Sequence, residues 1–379
     1  MKLLITVPTY WRPRVETEPG AYDHPTPIGE ESTLPRLLDS LVSVSSTVPI
    51  AVIAAVTDPE VEEAAASKVR TMIEPYRGRL SIALFSRSEM RFIAARFSAL
   101  GYTTDGIGLI GYGSVRNLQL VIGAVLGVDA VIGLDDDEQV PPGYLRRAGQ
   151  FIGKTYEGAP ILGVVGPYRQ ARAAPINDSN PFLERGRWIR EGIFALEATG
   201  EELVETSIGF GGNMVIHRDL FTRVPFDPHI SRGEDIDYMT TCRMYGYKFW
   251  WDHDLFVEHF PPDRFHRPPC TMLRTDIARF IYSREKIAVA ASKGLLPPGD
   301  LDPYPGRFLR EDLVQQSLRA LHRVCSEEKS AQEFVDSLIS HARDAANEYF
   351  ALQSKWEEMI TRIKEEKLLR DYIRHKLDT

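Results

Sequence analysis

The stretch Val131-Ile-Gly-Leu-Asp-Asp-Asp-Glu-Gln-Val140 joins a short apolar run to four consecutive acidic residues. The run from Ala130 to Leu134 is typical of a buried strand, and the Pro-Pro-Gly that follows the stretch prevents the strand from continuing. Because successive strand side chains point to opposite faces, we expect Asp135 and Asp137 to share a side and Asp136 to point away. Open α/β sheets place their ligand sites at the carboxyl ends of strands. The stretch therefore predicts a strand that delivers carboxylates to a site.

Two interpretations of these carboxylates are open. Two carboxylates on one side can hold a hard divalent cation through oxygen ligands, and the ion can neutralise a diphosphate. A solvated acidic turn after a strand would contain the same residues. Like charges packed this closely repel, and a metal ion or a cationic partner is the usual compensation.

The length and charge of the chain limit the classes of protein to consider. The 379 residues are enough for one large domain with an appendage or for two domains. A hydrophobic content of 43% is that of an ordinary globular protein. The net charge of -8 does not favour binding to nucleic acid or to an anionic membrane. An anionic substrate would therefore need a local basic pocket or a metal ion.

The cysteines and the apolar runs indicate in which cellular compartment the protein is expected. Cys242, Cys270 and Cys325 lie far apart without zinc-binding spacing, which argues against a disulfide framework and fits a reducing compartment. The apolar run at the N-terminus is too short for a signal peptide, and no run approaches the length of a membrane span. We therefore expect a soluble, cytoplasmic protein.

Strand-like and helix-like segments alternate along the first half of the chain. The patterns predict strands over 3–7, 49–56, 80–85, 130–134 and 161–166 and helices over 34–44, 60–76, 89–100, 114–125 and 144–152. We expect Pro8 to break the first strand and the stretch from Thr9 to Thr33 to lack regular structure. The alternation predicts an α/β fold with a mostly parallel sheet covered by helices.

Two loops carry groups that suit a ligand. Gly106-Ile-Gly-Leu-Ile-Gly111 matches a dinucleotide-binding pattern, but it follows a helix, so we interpret it as a flexible loop. At the start of the next helix, Arg116 and Asn117 either cap the helix or bind a nucleotide. A predicted irregular stretch from Pro167 to Gly200 is either a surface excursion or a receptor for an anionic or sugar-like substrate, because it contains Arg169, Arg172, Arg185, Arg187 and Arg190.

Further candidates lie between residues 207 and 262. Ser231 and Glu234 have capping-box spacing, which gives Glu234 a structural role. Asp235 has no such role, and a carboxylate at the start of a buried helix can act as a general base. His259 follows a predicted strand, where an imidazole either satisfies local backbone groups or binds a ligand.

In their order along residues 1–262, these segments resemble the family 2 glycosyltransferases of the GT-A fold. The matching segments are Val7-Pro8-Thr9-Tyr10, Asp58, Arg116-Asn117, Asp135 with Asp137, Gly211-Gly212-Asn213, Gly233-Glu234-Asp235 and His259. The loop from Trp11 to Thr33 is longer than this family usually has, and the segment after His259 matches no tail of the family.

The resemblance implies a metal-dependent, inverting glycosyltransferase of the hexosyltransferase class. Its donor would be a UDP- or GDP-sugar and its acceptor an unidentified hydroxyl compound, small or anionic. Asp235 would be the general base, with Glu234 beside it. Mn²⁺ or Mg²⁺ would be held by Asp135, Asp137 and His259. The donor-binding residues would be Pro8, Tyr10, Asp58, Arg116, Asn117, Asp135 and Asp136.

The resemblance also implies a domain division. We expect a catalytic domain over 1–262, with a nucleotide-sugar half over about 1–140 and an acceptor half over about 141–262. A C-terminal helical extension over 263–379 carries apolar stripes that predict packing on the catalytic domain or on a second subunit of a homodimer. Arg264 and Arg267 at its start are further candidates for binding an anion.

Two other functions are compatible with the same residues. A sugar-phosphate nucleotidyltransferase also uses carboxylates and a divalent ion, although no glycine-rich loop with lysine or arginine follows the first strand here. A non-catalytic module that binds a nucleotide-sugar or a glycan would need Asp137 but would tolerate the loss of Asp235.

Overall fold

The computed structural model describes residues 1–14, 22, 25–44, 46–169, 180–260, 269–325 and 328–378. The strands are β1 (Leu3–Arg12), β2 (Thr26–Pro27), β3 (Ile50–Val56), β4 (Ile82–Phe85), β5 (Ala130–Gly133), β6 (Glu138–Gln139), β7 (Thr155–Tyr156), β8 (Ala159–Pro160), β9 (Gly163–Val165), β10 (Tyr168–Arg169), β11 (Leu203–Thr206), β12 (Met214–His217), β13 (Phe249–Asp252) and β14 (Val257–His259). The helices are α1 (Leu34–Ser43), α2 (Glu62–Ile73), α3 (Arg87–Ala99), α4 (Tyr112–Leu126), α5 (Tyr144–Ala148), α6 (Arg185–Ala198), α7 (Arg218–Phe221), α8 (Glu234–Met244), α9 (Pro269–Ser292), α10 (Leu313–Cys325), α11 (Glu328–Ile363) and α12 (Lys367–Asp378).

The central sheet is mixed and mostly parallel. Its strand order is β11-β13-β9-β12-β5-β1-β3-β4, and β2 pairs with the end of β1. β1 is parallel to β3 and β5, and β9 is parallel to β13, whereas β12 is antiparallel to both β5 and β9. The predicted α/β fold, with helices on the sheet and a helical C-terminal region, is confirmed.

Adjacent residues of the central strands belong to different apolar cores. Leu4 packs in the core that includes α4, α11 and α12, and its neighbour Ile5 packs in the core that includes α1, α2 and α5. Alternation of side chains along a strand puts these two residues on opposite faces of the sheet. Both faces are therefore covered, which explains why the central strands are almost uniformly apolar.

Two expectations about regular structure were wrong. β1 does not end at Pro8 but continues to Arg12. Its pairing with β5 extends only to Thr6, so Pro8 lies where the missing N–H is tolerated on that side. Within the stretch expected to be irregular, residues 185–198 form α6, because Ile189 and Ile193 at helical spacing pack against the cluster around Phe280. Arg172, Arg264 and Arg267 lie outside the described residues.

The expectation that the cysteines form no disulfide was also wrong. Cys270 and Cys325 form a disulfide with their Cα atoms 5.2 Å apart, and Cys242 is free and buried. The bond joins α9 to α10, which are packed together although their cysteines are 55 residues apart in sequence. Separation in sequence therefore gave no information about this pair. In the described part of the chain, no helix is both long and apolar enough to span a bilayer.

Candidate active site

A cleft of about 260 Å³ lies beside the end of β1, the acidic turn after β5 and the start of α8. Most of the residues predicted for the site line it, namely Tyr10, Arg116, Asp135, Asp136, Asp137, Glu234, Asp235 and His259. The fold thus brings together side chains that are more than 200 residues apart in the sequence.

Three predicted donor-binding residues lie outside the cleft lining. Pro8 is buried within β1, where it pairs with Ile53 of β3. The Asp58 carboxylate caps a short 3-10 helix by accepting a hydrogen bond from the Glu60 N–H at 2.8 Å. The Asn117 side-chain amide bonds three backbone groups, two of them in Phe226. The observed contacts of Asp58 and Asn117 are therefore structural.

Arg116 joins the two acidic segments of the cleft. Its side chain is buried on α4, and its Nε donates to Glu234 Oε1 at 3.0 Å. One terminal nitrogen of the same guanidinium donates to Asp135 Oδ1 at 3.1 Å. One positive charge therefore holds the end of β5 against the start of α8 and compensates two carboxylates only in part.

The remaining carboxylates of the acidic turn are crowded together. Asp136 accepts a hydrogen bond of 2.6 Å from the Thr9 hydroxyl, yet burial and then the charge of Asp137 raise the pKa of Asp136 to about 8. Burial, followed by the charges of Asp135 and Asp137, also raises the pKa of Glu138 well above its usual range. The turn is consequently an environment that favours a cation.

Asp137 and His259 form the most suitable pair of metal ligands. β14 pairs with β6 in a register that places His259 opposite Glu138, and His259 Nε2 lies 3.3 Å from Asp137 Oδ2. Asp135, the third predicted ligand, is instead paired with Arg116. Among the described residues, no three His, Cys, Asp or Glu side chains converge on a metal position. The Asp137 carboxylate nevertheless fits Mn²⁺ or Mg²⁺, which prefer oxygen ligands and often complete their coordination with substrate phosphates and water, and His259 could add a nitrogen ligand.

The start of α8 differs from the predicted capping box. The N-cap is Gly233, with φ 70° and no side-chain cap, so Ser231 and Glu234 do not form the expected pair. Glu234 instead faces Arg116, and burial raises the pKa of Glu234 to about 7 although the charge of Arg116 acts against the rise.

Asp235 is held in the cleft by backbone groups. Its Oδ1 accepts from the Ile236 N–H at 2.8 Å and its Oδ2 from the Gly211 N–H at 3.1 Å. Burial raises the pKa of Asp235, and the bond from Ile236 is the largest effect that acts against it. Asp235 is thus an oriented carboxylate with increased basicity.

Tyr168 is a site residue that the sequence did not reveal. Its hydroxyl accepts a hydrogen bond from the Gly212 N–H at 3.1 Å and lies 3.4 Å from Asp135 Oδ2. Its ring stacks on Phe210, with 4.3 Å between centroids. A Cβ atom on Gly212 would overlap Tyr168 and Glu138, so this glycine is required by close packing. Tyr168 was overlooked because it lies in the stretch that was expected to be irregular.

The two ends of the cleft have different chemistry. At one end lie the rings of Tyr10 and Tyr112, which contact each other and the buried ring of Tyr22, with centroids 4.3 to 5.3 Å apart. At the other end lie three arginines and a tyrosine, namely Arg185, Arg232, Arg279 and Tyr304. Of these four, the sequence indicated only Arg185.

Comparisons with known proteins give similarity at the level of overall structure. No family model and no curated protein matches the chain. A mannosyltransferase from Pyrobaculum calidifontis in complex with GDP-Man and Mn2+ is similar at 15% identity and a TM-score of 0.47, over 99% of this chain and 87% of that chain. Glucosyl-3-phosphoglycerate synthase from Mycobacterium tuberculosis in complex with Mn2+ and UDP-Glc is similar at 17% identity and a TM-score of 0.39, over 74% and 78%. GalNAc-T7 with UDP, GalNAc and Mn2+ is similar at 14% identity and a TM-score of 0.37, over 87% and 58%. Functional inference therefore rests on the cleft itself.

Proposed function

We propose that the protein is a metal-dependent, inverting glycosyltransferase that moves a sugar from a nucleotide-diphospho-sugar to an acceptor hydroxyl. The observation that carries this proposal is the Arg116 bridge between Asp135 and Glu234. Asp137, His259 and Asp235 line the same cleft as this bridge, which supports the proposal. A diphosphate leaving group and an attacking hydroxyl could therefore be held on opposite sides of the same anomeric carbon.

The donor would occupy the side of the cleft formed by the acidic turn and the tyrosines. Asp137 and His259 would hold Mn²⁺ or Mg²⁺, which when bound offsets the negative charge that develops on the departing nucleoside diphosphate. The rings of Tyr10 and Tyr112 line the same cleft and offer aromatic surface to a nucleobase.

Asp235 would act on the acceptor. Its carboxylate takes the proton of the acceptor hydroxyl while that oxygen attacks the anomeric carbon from the side opposite the diphosphate. The new carbon–oxygen bond forms as the bond to the nucleoside diphosphate breaks, so the configuration inverts. The two backbone N–H groups fix the carboxylate, while Glu234 keeps Arg116 in place.

The Asp235→Asn variant tests the proposed base. We expect transfer to fall by roughly a hundredfold or more, because the amide cannot accept the proton. Donor binding should persist, measured as the thermal shift produced by UDP- or GDP-sugars with Mn²⁺. The matched control is Asp371→Asn, which changes an exposed aspartate of α12. Wild-type transfer by a folded Asp235→Asn protein would rule out this base. Pyrophosphate release from a nucleoside triphosphate would identify a nucleotidyltransferase instead.

The Asp137→Asn variant tests the metal site separately. A ligand present at 100 times its dissociation constant stabilises a protein by roughly 2.7 kcal/mol. We expect Asp137→Asn to lose the part of this stabilisation by nucleoside diphosphate that depends on Mn²⁺, while Asp371→Asn retains it. If Mn²⁺ increases the stabilisation by nucleoside diphosphate equally in the two variants, Asp137 is not a metal ligand.

A further inference from the structure

The end of the cleft next to Asp235 is unusually basic for a protein with a net charge of -8. Arg185 comes from α6, Arg232 from the turn before α8 and Arg279 from α9. Asp276 pairs with Arg185 at 2.8 Å and with Arg232 at 3.4 Å. Asp276 therefore contacts two of the three arginines, and the contacts of the third, Arg279, are different.

Arg279 is buried without a carboxylate partner among the described residues. It is 4% exposed, and it donates to the Arg232 carbonyl at 3.3 Å and to the Tyr304 hydroxyl. Its Nε has no hydrogen-bond partner in the part of the chain that the structure describes. A guanidinium has five N–H donors, and burying its charge is unfavourable unless it is paired. The charge of Asp276 acts on Arg279 from outside ion-pair distance, and the unpartnered Nε leaves the guanidinium with hydrogen-bonding capacity for an anion that enters the cleft.

The turn that carries Asp235 is shaped to accept this guanidinium. Gly233 has φ 70°, and a Cβ atom there would overlap the Arg279 guanidinium. Only glycine therefore permits Arg279 to lie against the turn. The two side chains are near enough that the charge of Arg279 acts against the burial-driven rise in the pKa of Asp235. An anion bound by Arg279 would consequently lie beside the proposed base.

Resting on the proposed function, we infer that the acceptor carries an anionic oxygen group, a phosphate or a carboxylate, which Arg279 binds together with Arg185 and Arg232. The planar guanidinium fork matches both groups and can donate two parallel hydrogen bonds to either. Binding the anion at this end directs the hydroxyl of the same molecule toward Asp235. Neutral sugars lacking such a group would leave Arg279 unpaired and would be poor acceptors.

The experiment measures anion binding without knowledge of the acceptor. The full-length protein is first saturated with nucleoside diphosphate and Mn²⁺, so that the donor side is filled. Inorganic phosphate and, separately, acetate are then titrated by calorimetry at constant ionic strength. We expect saturable binding to wild type that is weakened by about tenfold in Arg279→Gln, as for loss of one charge-assisted contact. The matched control, Arg284→Gln, changes an arginine of α9 outside the cleft lining and should bind as wild type does.

The result of the titrations shows which anion, if any, the basic end of the cleft binds. Binding of phosphate alone would identify a phosphate ester as the acceptor class, and binding of acetate would include carboxylates. Absence of saturable binding to wild type, or equal binding by Arg279→Gln, would overturn the inference. If Arg279→Gln fails to fold, Arg185→Gln replaces it, because Arg185 is partly exposed and its loss should also weaken binding. If wild type does not bind nucleoside diphosphate, the proposed function is contradicted. If wild type binds nucleoside diphosphate but Arg279→Gln binds the anion as well as wild type does, only the anionic acceptor is contradicted.

Discussion

At the scale of single residues, the site is defined by carboxylates that outnumber the cations near them. Arg116 compensates Asp135 and Glu234 by direct contact. Asp136 and Glu138 have no comparable cation among the described residues, and burial raises the pKa of both carboxyl groups. Ionisation of Asp136 or Glu138 therefore lowers the free energy of unfolding, which is expected of side chains kept for binding rather than for folding.

The free energy of unfolding of wild type should fall between about pH 4.5 and 7, and the Glu234→Gln variant should show a smaller fall. Burial raises the pKa of Glu234 from 4.5 to about 7. A carboxyl group with a higher pKa in the folded state binds more protons when folded, so the free energy of unfolding falls as the pH rises through this window. The fall in unfolding free energy that Glu234 causes over this window is roughly 3 kcal/mol at most. Urea unfolding at stepped pH measures it, with the exposed Glu201→Gln as control. An identical slope in the two variants would contradict the prediction.

At the scale of elements, α9 connects the structural core to the cleft. Arg279 on this helix lines the basic end of the cleft, and Asp276 pairs with Arg185, while Cys270 near the start of the helix forms the disulfide to α10. Lys286 on the same helix is buried between Asp227 and Asp237, at 2.8 and 2.7 Å. The position of α9 is therefore fixed at several points along its length, which limits movement of Arg279.

Removing the disulfide should weaken the protein measurably. A bond that closes a loop of 55 residues restricts the unfolded chain, so the double variant Cys270→Ser, Cys325→Ser should lose about 2 to 4 kcal/mol of unfolding free energy. Reductant should destabilise wild type and leave the double variant unchanged. Thiol labelling of denatured, unreduced wild type should modify Cys242 alone. Labelling of all three cysteines would show that the bond does not form.

At the scale of the whole molecule, the C-terminal helices complete one face of the central sheet. Trp356 on α11 is buried in the same core as Leu4 of β1, and its Nε1 donates to the Phe221 carbonyl at 2.9 Å. Leu369 and Ile373 on α12 join this core. Of the two alternatives for the apolar stripes, packing on the part of the chain before residue 263 is the one observed. Arg279 and Tyr304 also supply part of the cleft from beyond residue 262.

Two adjacent leucines of α12 provide a test of this arrangement. Leu369 is fully buried, whereas Leu368 is 58% exposed. Leu369→Ala should lower the unfolding free energy by about 2 to 5 kcal/mol, because it leaves a cavity in the shared core. Leu368→Ala should remain within about 0.5 kcal/mol of wild type. Denaturant unfolding should show one transition in both variants. A separate early transition for the C-terminal helices would contradict the shared core.

Local features of the chain follow directly from its amino-acid sequence. The apolar run at 130–134, the alternation of strands and helices and the acidic turn reflect the periodicity and the type of neighbouring residues. For the same reason, Asp135, Asp137, Asp235 and His259 are recognisable as candidates in the sequence alone. Their chemistry depends on residue type, and their place at the end of a strand or the start of a helix depends on near neighbours.

Which of these groups meet depends on the tertiary structure. A particular strand register and helix packing are required for three features of the structure. These are the pairing of Arg116 with Glu234 across 118 residues, the positions of Tyr168 and Arg279 in the cleft lining, and the disulfide. The capping box does not form because α8 begins at Glu234 with Gly233 as its N-cap, which leaves Ser231 outside the helix. β1 continues past Pro8 because its pairing with β3 extends to Trp11, while its pairing with β5 ends at Thr6. Contacts of this kind are set by the packing of distant segments, and sequence spacing carries no record of that packing.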